Sequence, residues 1–110
     1  MSFEQKNIVI TSATRTPIGT FRGSLKNLQA HELGSVVVNQ AIKKSNLNLN
    51  DIDELIMGQV LTGGAGQNPA RQAAISCGLP IEKTAYIINQ VCGSGLRSVA
   101  AAYQSIKSND

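Results

Sequence analysis

The sequence predicts an α/β protein with parallel strands in a layered sheet. Short runs rich in β-branched residues alternate with longer runs whose apolar residues recur at helical spacing. Glycine, proline and capping residues fall at the joints between them. The resulting order, βαβαβα, separates each strand from the next by a helix, which brings the strands side by side in parallel rather than as hairpins.

Residues 7–13, NIVITSA, are rich in β-branched residues and read as the first strand. A loop over residues 14–29 follows, punctuated by Pro17, Gly19 and Gly23. From His31 to Lys44, Leu33, Val37 and Ala41, with Val38 and Ile42, recur at helical spacing, against the weak helix preference of the valine triplet. Lys43 and Lys44 suit the negative pole of that helix, and the polar SNLNLND stretch ends it. Residues 53–61 read as the second strand and residues 62–68 as a glycine-rich loop. Asn68 and Pro69 make an N-cap and first-turn pair for a helix running to Cys77, closed by Gly78 and Pro80. Residues 84–91 read as the third strand, and the last helix runs from Ser94 to Lys107.

Bulk properties exclude several functions. A chain of 110 residues suffices for one small domain. Ten basic and seven acidic residues leave a net charge of +3 with no run of like charge, so neither nucleic acid nor a membrane surface is an expected partner. The start, MSFEQKNIVI, has neither the basic region and long apolar core of a signal peptide nor the arginine-rich pattern of a transit peptide. No apolar run approaches the roughly 20 residues of a membrane helix. A soluble, cytoplasmic protein is the expectation. Cys77 and Cys92 are not a close-spaced pair and His31 is the only histidine, so no metal site is expected. In a reducing compartment the two thiols stay free, and Cys77, ending an alanine-rich helix, reads as packing. The loop GGAGQNPA lacks the Gly-Lys-Ser/Thr ending of a phosphate loop and reads as an ordinary connection.

Cys92 reads differently. It lies between the third strand and the last helix, with Gly93, Ser94 and Gly95 following. A helix start carries unpaired N–H groups and a partial positive charge, which stabilise an adjacent anion such as a thiolate or a developing oxyanion. The two glycines leave room for a substrate and tolerate the φ values of a tight corner. Sulfur thus replaces hydroxyl in a strand-to-helix corner of the nucleophile-elbow kind.

NQVCGSGL resembles the nucleophile motif of the thiolases, the acetyl-CoA acetyltransferases and 3-ketoacyl-CoA thiolases. IVITSATRTPIGTFRGSLKNL resembles the family's first strand and the loop after it. GQVLTGGAGQNPARQAAISCGLP, residues 58–80, resembles its second strand, glycine-rich loop and second helix. The three blocks keep the family order and span almost the whole chain. Ketoacyl synthases share the fold and a nucleophilic cysteine, but their flanking motif differs.

The resemblance implies a thiolase-like layered fold, with residues 1–110 as the βαβαβα opening of an N-terminal βαβαβαββ half whose C-terminal counterpart is absent. The last helix implies the same, since Val99, Ala100, Ala101, Ala102 and Tyr103 surround it with apolar groups that three strands and two helices cannot wrap. The resemblance further implies ping-pong acyl transfer. Cys92 attacks acetyl-CoA or a 3-ketoacyl-CoA to give an acetyl-enzyme, which then passes the acetyl group to a second acetyl-CoA or to free CoA. CoA thioesters are substrates and no cofactor is expected. In the family a histidine and a second cysteine of the C-terminal half move the protons, and neither motif occurs here. His31 reads as a helix-start residue. Arg15, Thr16, Asn68 and Arg71 lie in family-like motifs that fold support or subunit contacts explain equally. Asn89 and Gln90 lie on a strand near the family's dimer interface, which implies a homodimer or homotetramer. A place in fatty acid metabolism follows from the substrates. Two other readings are a catalytically inactive truncated chain that acts only by pairing with another subunit, and a redox-sensing thiol resolved by Cys77, which no sequence feature requests.

Overall fold

Two parallel strands carry helices on both faces. In the computed structural model, which describes residues 7–110, β1 (Glu54–Gly58) pairs with β2 (Thr84–Ile88) so that Glu54 faces Thr84 and Gly58 faces Ile88. The reading of the first ten residues as free of a leader falls partly on residues 1–6, outside that range. Helix α2 (Pro69–Ser76) forms the crossover between the strands, α1 (Ala30–Lys44) precedes them, and α3 (Ser94–Ser108) follows.

The pleat divides the strand side chains between two layers. Leu55 and Ala85 pack with Val38 and Ile42 of α1 and with Ala74, Cys77 and Leu79 at the end of α2. On the opposite face Ile56 and Thr84 share a groove with Ala102 and Ile106 of α3. The core side is built largely of small residues, with Ala70, Ala73 and Ala74 essentially inaccessible, so α2 lies close to its neighbours. Gly34 permits the same closeness for α1, since a Cβ there would stand 2.4 Å from the Met57 methyl and 3.5 Å from the Ala73 Cβ.

Local chemistry sets the helix ends. The Glu32 carboxylate accepts from the Gln29 N–H at 2.6 Å at the start of α1, and Lys43 and Lys44 lie in its last turn. Asn68, in the left-handed region at φ 44°, accepts from the Arg71 N–H and starts α2 with Pro69. Gly78 follows α2 at φ 90°, a conformation that favours glycine. Asn109, at φ 59°, ends α3.

Residues 7–13 are not a strand, contrary to the sequence expectation. They run beside the C-terminal half of α1, where the Ser12 hydroxyl donates to the Ala41 carbonyl at 2.8 Å, the Thr14 hydroxyl donates to the Val37 carbonyl at 3.1 Å, and Thr11 and Ser45 share a hydroxyl hydrogen bond. A strand needs a ladder partner, whereas β-branched propensity is local. Among the described residues the sheet has two strands, and Val9 and Ile10 of this segment remain 71% and 80% exposed. The strands that do form are shorter than expected. The last ladder bond beyond β1 runs from the Gln59 N–H to the Ile88 carbonyl, after which both chains turn away.

Helix α3 matches its expected span within a residue. Its sheet-facing side meets β1 and β2, while Leu96, Val99 and Tyr103 stay at least half exposed, so a helix expected to be buried on several sides is covered here on one.

Gly58 joins β1 to α3. A Cβ at this position would stand 2.4 Å from the Ser94 carbonyl carbon, 2.5 Å from the Gly95 nitrogen and 2.6 Å from the Ser94 oxygen. All three are backbone atoms, which cannot swing aside as a side chain does. Gly58→Ala should therefore destabilise the protein carrying this sequence by about 1–3 kcal/mol, read as a lower denaturant midpoint with an unchanged slope. A midpoint equal to that of the wild type would show that α3 does not rest on Gly58.

Burial pushes the Cys77 thiol above its usual range. The folded state then holds this proton more tightly than the unfolded state, so stability is intact below the unfolded thiol pKa and declines as pH rises through it toward the folded value. Stability measured by denaturation between about pH 8 and 10, the range around a free thiol's pKa near 8.5, should fall less steeply with pH in Cys77→Ala than in the wild type. Equal slopes would remove Cys77 as a source of alkaline sensitivity.

Candidate active site at the corner between β2 and α3

After Ile88 the chain leaves β2, makes a tight turn and enters α3 at Ser94. The Gln90 carbonyl accepts from the Gly93 N–H at 3.0 Å, which places Val91 and Cys92 at the centre of the turn. Val91 has φ 50°. A β-branched residue in the left-handed region is a true outlier, and the usual occupant is glycine. Cys92 is a free, exposed thiol one residue before the N-cap Gly93 of α3, at the strand-to-helix corner the sequence predicts.

Two side chains and one backbone contact hold this turn. The Ser94 hydroxyl accepts from the Gln90 N–H at 2.8 Å and donates to the Val91 carbonyl at 2.6 Å. The Asn89 carboxamide accepts from the Val91 N–H at 3.0 Å and donates to the Val60 carbonyl at 3.2 Å, which ties the turn to the segment after β1. Beneath them lies the contact of Gly58 with the first turn of α3.

Some N–H groups of the corner and the first turn of α3 are paired and others are not, beginning with that of Gly93, which bonds to the Gln90 carbonyl. The Ser94 N–H bonds to the Val91 carbonyl and the Arg97 N–H to that of Gly93, whereas those of Cys92, Gly95 and Leu96 have no intramolecular acceptor among the described residues. Unpaired donors beside an exposed thiol form an environment suited to a thiolate or to an oxyanion developing next to it.

The two glycines play a role different from the one expected. Neither has a positive φ, and the unusual backbone falls on Val91 instead. A Cβ at Gly95 would meet nothing within 4 Å, and one at Gly93 would make only an ordinary 3.4 Å contact with the Gln90 oxygen. Their contribution is open space above the helix start.

The remaining predicted residues lie elsewhere. Asn68 donates to the Ala85 carbonyl at 2.9 Å, and Arg71 donates to the Lys83 and Ile81 carbonyls at 2.8 Å each. Both therefore fasten the start of α2 to β2 and to the loop before it. Gln72 closes the glycine-rich loop by donating to the Ala65 and Gln67 carbonyls. Arg15 and Thr16 bond only within their own loop, and Arg15 is exposed beside α1. His31 opens α1, in the layer across the sheet from α3. Cys77 is buried in the core, its Sγ 3.3 Å from the Ala74 carbonyl, and is not part of the corner. Gln90 enters the site through its backbone, whereas Asn89 enters through its side chain. Sequence reasoning did not single out Ser94 or the strained Val91. A buried serine flanked by glycines was the available sign for the former, and no sequence sign marks a left-handed valine. Among the described residues no group of histidine, cysteine and carboxylates is placed to hold a metal, and no helix is long and apolar enough to cross a membrane.

Comparison with known proteins shows the family of the chain. The family model described as the thiolase N-terminal domain matches residues 8–110. The chain is 54% identical over 102 residues to an acetyl-CoA acetyltransferase of Paracoccus denitrificans, covering 93% of this chain and 26% of that protein. It is likewise 54% identical over 102 residues to a probable acetyl-CoA acetyltransferase of Escherichia coli K12, with the same coverage. Among solved structures, a thiolase of Ascaris suum in complex with coenzyme A superposes with a TM-score of 0.88 at 43% identity, over 90% of this chain and 26% of that one. The chain thus spans about a quarter of the length of the curated relatives it matches. On its sequence and on its fold, this chain belongs to the thiolase family.

Proposed function

We propose that the protein carrying this chain is an acetyl-CoA C-acetyltransferase of the thiolase kind, with Cys92 as its acyl-accepting nucleophile and residues 1–110 as part of its N-terminal domain. The observation that supports this most directly is the exposed Cys92 thiol held in a tight turn at a helix start, beside N–H groups that have no intramolecular partner. The relatives' names point to the same acyl group, and the Ascaris thiolase was solved with coenzyme A.

The chemistry runs in two halves. The Cys92 sulfur adds to the thioester carbonyl of acetyl-CoA, the oxygen takes the negative charge against the Cys92 N–H, and collapse expels the CoA thiolate to leave an S-acetyl cysteine. The α-carbon of a second acetyl-CoA, once deprotonated, then attacks the acetyl group, forms a carbon–carbon bond and frees Cys92, giving acetoacetyl-CoA. Run backwards, the thiol cleaves a 3-ketoacyl-CoA and the acyl group passes to free CoA. Both directions need acid–base groups, for the thiol proton and for the α-carbon proton. No such side chain is hydrogen-bonded to Cys92 among the described residues, and the family assigns these duties to a histidine and a second cysteine of its C-terminal half. On this reading CoA thioesters are the substrates, no separate cofactor takes part, and the protein belongs to fatty acid metabolism in the cytoplasm. A homodimer or homotetramer fits the exposed apolar side chains of Ile18 and Phe21, at 83% and 91%. The same exposure favours a second reading, in which this chain alone is inactive and acts by pairing with another subunit.

Mass spectrometry after incubation with acetyl-CoA separates them. The protein at its natural length should gain one acetyl group on the peptide bearing Cys92, and Cys92→Ala should abolish it and lower turnover by about a thousandfold or more. Acetylation that persists in Cys92→Ala would overturn the assignment of the nucleophile. A natural-length product that never acetylates but associates with another subunit would establish pairing in place of catalysis.

A further inference from the structure

Ser94 is the only polar side chain buried among the described residues, 4% exposed, and its hydroxyl does not cap its own helix. It reaches backwards instead, accepting from the Gln90 N–H and donating to the Val91 carbonyl, which also accepts from the Ser94 N–H at 3.1 Å. Both hydrogen bonds land on the residues just before Cys92. Between them sits Val91, whose φ of 50° is one that a β-branched residue holds only when its surroundings impose it. Val91 is 64% exposed, so packing does not impose that φ and the hydrogen bonds must.

We infer that Ser94 is a positioning residue: its hydroxyl clamps Val91 in the left-handed conformation and thereby fixes the direction in which Cys92 presents its thiol. The atoms it grips are those of the backbone, the Gln90 N–H and the Val91 carbonyl. The Asn89 carboxamide secures the Val91 N–H from the other side, so the peptide groups on both sides of the strained residue are held and the turn has one arrangement. Loss of the hydroxyl frees the Gln90 N–H and leaves the Val91 carbonyl on the Ser94 N–H alone, a weaker hold that would let Val91 relax to negative φ and rotate the peptide that leads into Cys92.

The inference rests on Cys92 being the acyl nucleophile, and its test keeps the two apart. Ser94→Ala, Val91→Gly, the double variant and Cys92→Ala are made in the protein at its natural length. Two quantities are measured well below the unfolding temperature, the kcat and KM of acyl transfer from acetyl-CoA and the rate of Cys92 alkylation by iodoacetamide. Ser94→Ala should lower kcat by about tenfold with KM within about twofold, and slow alkylation by about threefold or more. Glycine adopts positive φ without strain, so adding Val91→Gly to Ser94→Ala should recover most of both losses even though one more side chain has been removed. A double variant no faster than Ser94→Ala, or a Ser94→Ala protein that melts earlier but alkylates at the wild-type rate, would overturn the clamp and leave Ser94 as a support of the fold. If Cys92→Ala retains acyl transfer, the nucleophile assignment fails, while the alkylation rates of the other variants still decide whether Ser94 and Val91 act together.

Discussion

The contact on which the rest of the structure depends is backbone against backbone, where the end of β1 meets the first turn of α3 at Gly58. Strand pairing sets the height of β2 beside β1, and the closeness permitted by a missing Cβ sets the start of α3 against the last residue of β1. With both ends fixed, the five residues from Asn89 to Gly93 have little freedom left. They must turn within a single peptide hydrogen bond, and the conformational strain of the turn collects at Val91. The helix layers on the other face serve the same end from further away. Gly34 lets α1 sit on Met57, and the alanines of α2 let that helix lie close to the sheet, so the platform beneath the corner is built of short, stiff contacts.

The two cysteines show how position alone places one chemical group in two different environments. Cys77 ends an alanine-rich helix against Ile42 and Leu79, where burial disfavours the thiolate and keeps the side chain a small hydrophobe. Cys92 stands at a helix start in an exposed turn, with unpaired N–H groups as neighbours. No property of cysteine separates them. The difference lies in which end of a helix each residue occupies and what covers it, and both are settled by glycine and alanine positions elsewhere in the chain.

Much of this was legible from the sequence, because the signals that worked were local. The three helices end where lysines, Asn68 with Pro69, and Gly78 predict, and the Cys92 corner follows from a β-branched run meeting a glycine-serine-glycine step. What failed depends on partners. The segment over residues 7–13 has the composition of a strand but not a neighbouring ladder, so its serine and threonine hydroxyls bond to α1 and its valine and isoleucine point outward. The glycines of the corner were legible as important and misread in mechanism, since the positive φ lies one residue before the thiol, on a valine. Ser94 escaped notice because serine at a helix start suggests an ordinary cap, whereas its bonds run backwards into the turn.

The site and the uncovered surface are continuous. The described fold has no large side chain that is fully buried, and its accessible surface of 8113 Å² is well above the roughly 5,800 Å² that a compact monomer of this mass would show. Part of the excess lies beside the thiol: Val91 and Leu96, 64% and 79% exposed, flank Cys92, and Val99 and Tyr103 extend the apolar strip along α3. Open space above Gly95 lies in the same place. Chain or ligand that covered this strip as far as the thiol would lower the local dielectric and strengthen whatever the unpaired N–H groups can do for a negative charge. If Cys92 is the nucleophile proposed above, burial of the apolar face and activation of its thiol are coupled, driven by the hydrophobic effect and read out in the electrostatics of the corner.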